Sequence, residues 1–329
     1  MLVTRAVSSA LAQTFDDIEV IVVIDGPNTE ATRLALSAIA DSRLRVTEHK
    51  TNRGSNATRN TGIAQARGKW IALLDDDDEW FPGKIEAQLQ VAESSAQQYP
   101  IVTCQVVYRT PDADFILPRR LPCPGEHISD YLYSRQGLPH TETLLQTSLL
   151  FAPRNLFLRV PFDENLRANE DLDWLLRVFR LDGVGLEIVQ ETLSVWNADD
   201  DRPRISDHLI HWRDTYDWVL ERRNLFSPRA YAAFIMSVVS GSASSTQEPK
   251  IFWLLLKEAY HNGRPALIDC LIFFYIWFIP QPIRHRMRHF LLGNPATVKL
   301  WGGPLRAMKK EPSRGAPYAY ADQHLGSRG

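Results

Sequence analysis

Four aspartates stand together at Asp75, Asp76, Asp77 and Asp78, directly after the apolar run Trp70–Leu74. Adjacent carboxylates repel, so such a cluster is costly unless water or a cation neutralises it. Hard oxygen donors at alternate positions of such a cluster suit magnesium or manganese. These ions bind through one or two carboxylates and take further ligands from substrate phosphates. A solvated acidic loop would carry the same letters, and the flanks separate the two readings. An apolar strand before and the helix start W-F-P-G-K after place the acids just beyond the carboxyl end of a strand, where open parallel sheets bind ligands. Asp25, at the end of IEVIVVID (residues 18–25), has the same placement. The chemistry expected is metal-assisted handling of a nucleoside diphosphate.

The elements that must hold these acids follow from periodicity. The β-branched run at 18–25 reads as a strand buried on both faces. RLRVTEH (43–49) and KWIALLD (69–75) read as two more strands. Ahead of them, residues 2–13 show apolar side chains at three- and four-residue spacing, an amphipathic helix. Asn28 or Thr29 caps a second helix to about Ala40, Ser55 caps a third, and Pro82 stands in the first turn of a fourth. The alternation predicts a doubly wound α/β layer. One feature is irregular: a crossover helix should follow a strand, and none precedes residue 2.

Further along, PIVTCQVVYRT (100–110) and TLLQTSLLFAP (143–153) read as strands, NEDLDWLLRVFRLDG (169–183) as a helix closed by Gly183, and VGLEIVQETLSVW (184–196) as one or two short strands. The acids Glu170 and Asp171 suit a helix first turn. From Ser206 the pattern turns helical. The expected organisation is a catalytic unit over 1–205, a helical region over 206–308 and a polar, disordered tail over 309–329. The run ALIDCLIFFYIWFI (266–279) is shorter than the roughly 20 apolar residues of a spanning helix. Its basic flank, Arg284, Arg286 and Arg288, makes 266–288 a candidate for peripheral membrane contact.

A net charge of −2 gives no reason to expect nucleic-acid binding. Three scattered cysteines, Cys104, Cys123 and Cys270, argue against a disulfide framework and fit a cytoplasmic chain, including one at the inner face of the cell membrane.

The segments ALAQTFDDIEVIVVIDGPN, NRGSNATRNTGIAQARGKWIALLDDDDEW and NEDLDWLLRV occur in the order and spacing of the family 2 glycosyltransferases. The resemblance covers roughly residues 1–205. It implies the GT-A fold, a Rossmann-like mixed sheet flanked by helices that binds a nucleoside-diphosphate sugar. It implies an inverting transfer of sugar to an acceptor hydroxyl, metal-dependent through Mn2+ or Mg2+, in cell-surface polysaccharide or glycolipid biosynthesis. A UDP-sugar is the favoured donor, and the acceptor is a saccharide or is lipid-linked. By resemblance, Asp25 contacts the base, Arg59 lies near the donor, and Asp75 and Asp77 form the D-x-D element that meets ribose and metal. Asp76 borders the donor and tunes its charge beside Asp78. Asp171 is the general base, with Glu170 the alternative.

The chain departs from the family in two places. The acidic pair and D-G-S around Asp25 have become I-D-G-P. The family's first apolar strand is absent, which predicts two unsatisfied strand edges and exposed apolar side chains, and suggests a mis-assigned start. A metal-dependent nucleotidyltransferase and an inactive glycosyltransferase-like binding protein are the competing readings.

Overall fold

The computed structural model describes residues 2–27, 29–109, 114–135, 143–197, 211–280 and 283–284. The first helix, α1 (Leu2–Leu11), buries Ala6, Val7 and Ala10. It leads to β1 (Val20–Asp25), α2 (Glu30–Ser37) and β2 (Leu44–His49). β1 and β2 pair in parallel from Val20 opposite Leu44 to Asp25 opposite His49. Next come α3 (Ser55–Gln65), β3 (Trp70–Ala72), β4 (Glu79–Trp80) and α4 (Lys84–Ser94). A second, mixed sheet runs β3-β7-β5-β8-β4, where β5 is Tyr99–Arg109, β7 Phe151–Pro153 and β8 Val184–Asn197. β6 (Asp114–Leu117) pairs with β5. The helices α5 (Ile128–Tyr133), α6 (Arg154–Arg159) and α7 (Glu170–Val178) complete the layer.

The strands therefore form two sheets rather than one continuous layer. Among the described residues β1 pairs only with β2 and β3 only with β7. The expected burial of β1 on both faces is not met: Val20, Ile21, Val22 and Val23 are only half-buried, and Ile24 alone is buried. A strand partnered along one edge leaves its other side less covered.

Several local readings are corrected. The third helix begins with Gly54 at its N-cap, at φ +89, and Ser55 inside it. Thr29 precedes α2 without a side-chain capping bond; Asn28 lies outside the described residues. Pro82 precedes α4, which is capped by Gly83. Of 143–153 only the last three residues are strand, preceded by a 3-10 turn, Thr147–Leu149. The stretch 184–197 is one strand of 14 residues, parallel to β5 with register shifts around Gln105. Such irregularities increase local twist and bend a long pair.

Two cores sandwich the mixed sheet. One holds Trp80, Ile85, Val102, Cys104 and Val106. Within it Lys84 is fully buried, its ammonium 4.2 Å from the Trp80 ring centroid and 2.6 Å from Gln88 Oε1. Burial lowers the Lys84 pKa to about 8. The other core centres on stacked Phe157, Phe162 and Trp174, with ring centroids 4.5 to 6.1 Å apart.

The C-terminal helices share that second core. They are α8 (Trp212–Glu221), α9 (Pro228–Phe234), a π-helical turn (Ile235–Val239), α10 (Ser240–Ala243), α11 (Pro249–Asn262) and α12 (Leu267–Phe278). The expected boundary near 199–205, the tail 309–329, Arg286 and Arg288 lie outside the described residues. Arg284 is within them, and its guanidinium reaches back to Ser244 Oγ at 3.4 Å.

Candidate active site

The motif S-N-A-T-R-N explains itself once it is a helix. Asn56, Arg59 and Asn60 stand at i, i+3 and i+4, so they share one face of α3. That face meets the segment 162–170. Asn56 Nδ2 donates to the carbonyls of Asp163 and Leu166, at 2.8 and 3.1 Å. Asn60 exchanges two bonds with the Phe162 backbone, at 2.9 and 3.0 Å. These contacts fix the loop that delivers Glu170 and Asp171 at the start of α7. Asn169, just before them, takes the left-handed conformation at φ +59, which asparagine tolerates better than most residues.

Arg59 lies between the two acidic motifs. Its Nη2 is 2.9 Å from Asp75 Oδ1, its Nη1 is 3.3 Å from Glu170 Oε1, and its guanidinium lies over the Phe162 ring at 5.6 Å. Burial alone would favour the neutral form, but Asp75, Glu170 and Asp171 outweigh it and raise the pKa further. Arg59 is a fixed cation. It joins residues from three separate stretches of the chain into one charged cluster.

The four aspartates do not behave alike. Asp75 N donates to Ser148 Oγ at 3.0 Å, and its carboxylate pairs with Arg59. Asp76 is exposed. The Asp77 carbonyl accepts from Arg5 Nη2 at 2.7 Å and from Asn197 Nδ2 at 3.0 Å, so α1 and the end of β8 hold the turn. Asp78 N donates to Asp75 O, closing the turn and sending the Asp78 side chain inward, where it is wholly buried. Asp78 Oδ2 accepts from Gln146 Nε2 and Ser148 Oγ, both at 2.6 Å. Burial pushes the Asp78 pKa up to about 7, against those two bonds and with the nearby charges of Asp75 and Asp77 adding to it.

Asp25 is saturated by protein donors. It accepts from the backbone of Arg53 and Gly54, the latter at 2.7 Å, and from His49 Nδ1 at 2.8 Å. Partial burial would raise its pKa, but these bonds hold it below the usual carboxylate range. Gly26 follows at φ +93, and a Cβ there would stand 2.9 Å from Asn52 N, so glycine is required. Asp25 thus ties β1 to the entry of α3.

At α7, the Asp171 carboxyl is crowded by protein although the residue keeps some solvent contact. Burial and then Glu170 raise its pKa to about 6, against Arg59 and the backbone N–H of Leu172. Asp173, two residues on, is wholly buried and accepts from Arg177 Nε at 2.6 Å and Arg222 Nε at 2.8 Å.

Asp75, Arg59, Glu170 and Asp171 are therefore brought together, Asp77 and Asp76 sit on the same turn, and Asp25 stands at the opening of α3. Motif reading passed over Asn56, Asn60, Gln146 and Ser148; only the helical spacing of Asn56, Arg59 and Asn60 could have drawn notice. Among the described residues no group of three metal-ligating side chains is preassembled. Asp75 and Asp77 are nonetheless hard donors on one partly exposed turn, a set that fits an ion completing its shell from a diphosphate. The acids lie on an open rim, outside two cavities of about 650 and 600 Å3 whose walls carry Lys69 and Arg154, and Asn60 and Phe162, respectively.

Residues 2–152 match the family described as Glycosyl transferase family 2. The succinoglycan biosynthesis protein ExoO of Rhizobium meliloti is 33% identical over 177 residues, 51% of this chain and 49% of that protein. The amylovoran biosynthesis glycosyltransferase AmsB of Erwinia amylovora is 26% identical over 276 residues, 79% of this chain and 88% of that one. The chain spans about half the length of the first curated relatives it matches. Among solved structures, S. aureus TarS 1-349 in complex with UDP-GlcNAc superposes with a TM-score of 0.50 at 14% identity, covering 83% of this chain and 75% of that one. At that identity the likeness concerns the fold: a GT-A mixed sheet flanked by helices.

Proposed function

Residues 2–152 make the chain a member of glycosyl transferase family 2, and from that membership we propose an inverting transfer of sugar from a nucleoside-diphosphate donor to an acceptor hydroxyl. The observation that carries this reading is the Arg59 bridge, which holds Asp75 on one side and Glu170, 111 residues on from Arg59, on the other, and sets Asp171 beside them. A UDP-sugar is the favoured donor, in keeping with the UDP-GlcNAc bound by TarS. The acceptor is a saccharide or a lipid-linked glycan on the cytoplasmic side of the membrane, in keeping with relatives named for succinoglycan and amylovoran biosynthesis.

In the reaction the acceptor oxygen attacks the anomeric carbon as the bond to the β-phosphate oxygen breaks. The acceptor proton passes to Asp171, and nucleoside diphosphate leaves. A base with a pKa near 6 is ionised at neutral pH yet basic enough to accept a proton in the transition state. Glu170, held by Arg59, is the alternative base; in the leading reading it keeps Asp171 basic by like-charge repulsion. Asp75 and Asp77 would hold Mn2+ or Mg2+, which supplies electrostatic stabilisation of the departing diphosphate. Asp78 and Ser148 hold the turn that presents them. Asp25 orders the Arg53–Gly54 backbone at the base-binding side, and Asp76 remains free to meet the donor from solvent.

Calorimetric titration of UDP, GDP and dTDP, with and without manganese, tests the donor assignment. Metal-dependent binding of UDP that Asp77→Asn abolishes is expected. Equal binding of all three without metal, unchanged by that substitution, would refute it.

A further inference from the structure

The α11–α12 hairpin has one face in the core and one in solvent, and the solvent face is apolar. On α12, Ile272, Phe273, Ile276 and Trp277 are buried. Leu267, Leu271, Phe274 and Phe278 follow at i, i+4, i+7 and i+11, a second stripe along the opposite side. Leu267 is 77% exposed and Phe278 70%. On α11 the exposed side chains Lys250, Trp253, Lys257 and Tyr260 recur at three- and four-residue steps, so aromatic and cationic groups alternate along one line. Trp253 is 56% exposed.

The two stripes belong to one surface. Phe252 meets Trp253 at 5.2 Å between centroids, Phe274 at 6.1 Å and Phe278 at 5.9 Å. At the other end Tyr260 Oη is 3.0 Å from Cys270 Sγ, so the helices run antiparallel. The charge on this hairpin is one-sided. From Pro249 to Phe278 the exposed charged side chains are Lys250, Lys257 and Arg264. Glu258 accepts from Tyr231 Oη and Asn262 Nδ2, and Asp269 is buried against Arg229.

We propose that this hairpin docks in the headgroup layer of a bilayer containing anionic lipid. Leu267, Leu271, Phe274, Phe278 and Trp253 enter the acyl boundary, while Lys250, Lys257 and Arg264 meet lipid phosphates. Three observations select this occupant over a second protein chain. Lysines interleaved with aromatics suit an interface that is apolar below and anionic above, because the lysine stem lies along apolar surface and its head stays among phosphates. Protein–protein interface cores are instead depleted in lysine. α12 has 12 residues, and among the described residues no helix is long and apolar enough to cross a membrane, so the contact is in-plane. Its inner stripe keeps the hairpin on the body of the protein while the outer one docks.

Docking needs no donor and no turnover, so it stands or falls separately from the transferase reading. The test is flotation of the full chain with phosphatidylcholine vesicles and with phosphatidylcholine/phosphatidylglycerol vesicles. The native chain should float only with the anionic vesicles and be released by high salt. Lys250→Gln with Lys257→Gln should weaken partition roughly tenfold to thirtyfold, at about the value of a surface charge for each lysine. Phe274→Ser with Phe278→Ser should abolish flotation while the melting temperature, read alongside, shows the fold intact. A native chain that stays at the bottom of the gradient overturns the proposal, as does equal flotation of both variants. A dimer in light scattering that the phenylalanine variant dissolves, without flotation of either, assigns the face to a second copy instead.

Discussion

The turn at Asp75–Asp78 and the helix start at Glu170–Asp173 are built on the same plan with opposite partners. Each turns some acids toward the rim and buries one completely. The buried acid of the turn, Asp78, is met by neutral donors, Gln146 and Ser148. The buried acid of the helix, Asp173, is met by two guanidinium groups, Arg177 and Arg222. Neutral donors do not offset the loss of water around a charge, so Asp78 takes up a proton near neutrality. The positive charge on the turn comes instead from Arg5 on the Asp77 carbonyl and Arg59 on the Asp75 carboxylate, leaving Asp78 to neutral donors. A helix that must anchor to α8 gains from the stronger charged bonds. The difference separates an acid that shapes a turn from one that anchors a helix, and both from Asp171, the proposed base.

The largest expected effect of breaking that separation falls on Asp171. Asp171→Asn should lower kcat about 10²–10⁴-fold with little change in donor KM. In the native chain kcat/KM should rise with pH through about 6, because the base must be ionised. Next is Asp173→Ala, which removes the buried acceptor shared by Arg177 and Arg222 while leaving Arg222 its pairs with Asp163 and Glu221, and should cost about 1–3 kcal/mol in chemical denaturation. A loss under about 1 kcal/mol would show that solvent already screens both arginines. A smaller effect concerns pH. With a folded pKa near 7 and an unfolded value near 3.8, Asp78 binds more proton in the folded state between those values, so its contribution to stability is present in acid and lost as pH rises through 7. Asp78→Asn should flatten that part of the melting-temperature profile between pH 5 and 8; an unchanged profile would refute the inward acid. Smallest is Glu170→Gln, expected to lower turnover less than tenfold while moving the acid limb of the pH profile downward, since a neighbouring negative charge is gone.

Much of the site was legible because its residues sit at strand and helix ends, where short patterns carry position. IEVIVVID and KWIALLD announced two strands, and the acids after them announced the rim. The letters A-T-R-N singled out Arg59, while Asn56 and Asn60, on the same face of α3, were passed over. What could not be read depends on contacts distant in sequence. The inward turn of Asp78 needs Gln146 and Ser148, about 70 residues on, and the use of Asp25 as a tie for Arg53 and Gly54 needs a loop geometry no single stretch encodes. The 3-10 turn at Thr147–Leu149 sits in a run whose β-branched and apolar letters look like strand throughout. The division of the strands into two sheets and the half-exposure of β1 are matters of packing that no short stretch encodes.

The central claim is that Arg59 gathers three stretches of sequence into one glycosyl-transfer site. It is tested most directly by release of UDP from a panel of UDP-sugars with a glycan acceptor, comparing the native chain with Asp171→Asn and Asp77→Asn. The account expects acceptor-dependent UDP release by the native chain, donor binding without turnover in Asp171→Asn, and loss of donor binding in Asp77→Asn. Full turnover by Asp171→Asn, or pyrophosphate rather than UDP as the product, would contradict it.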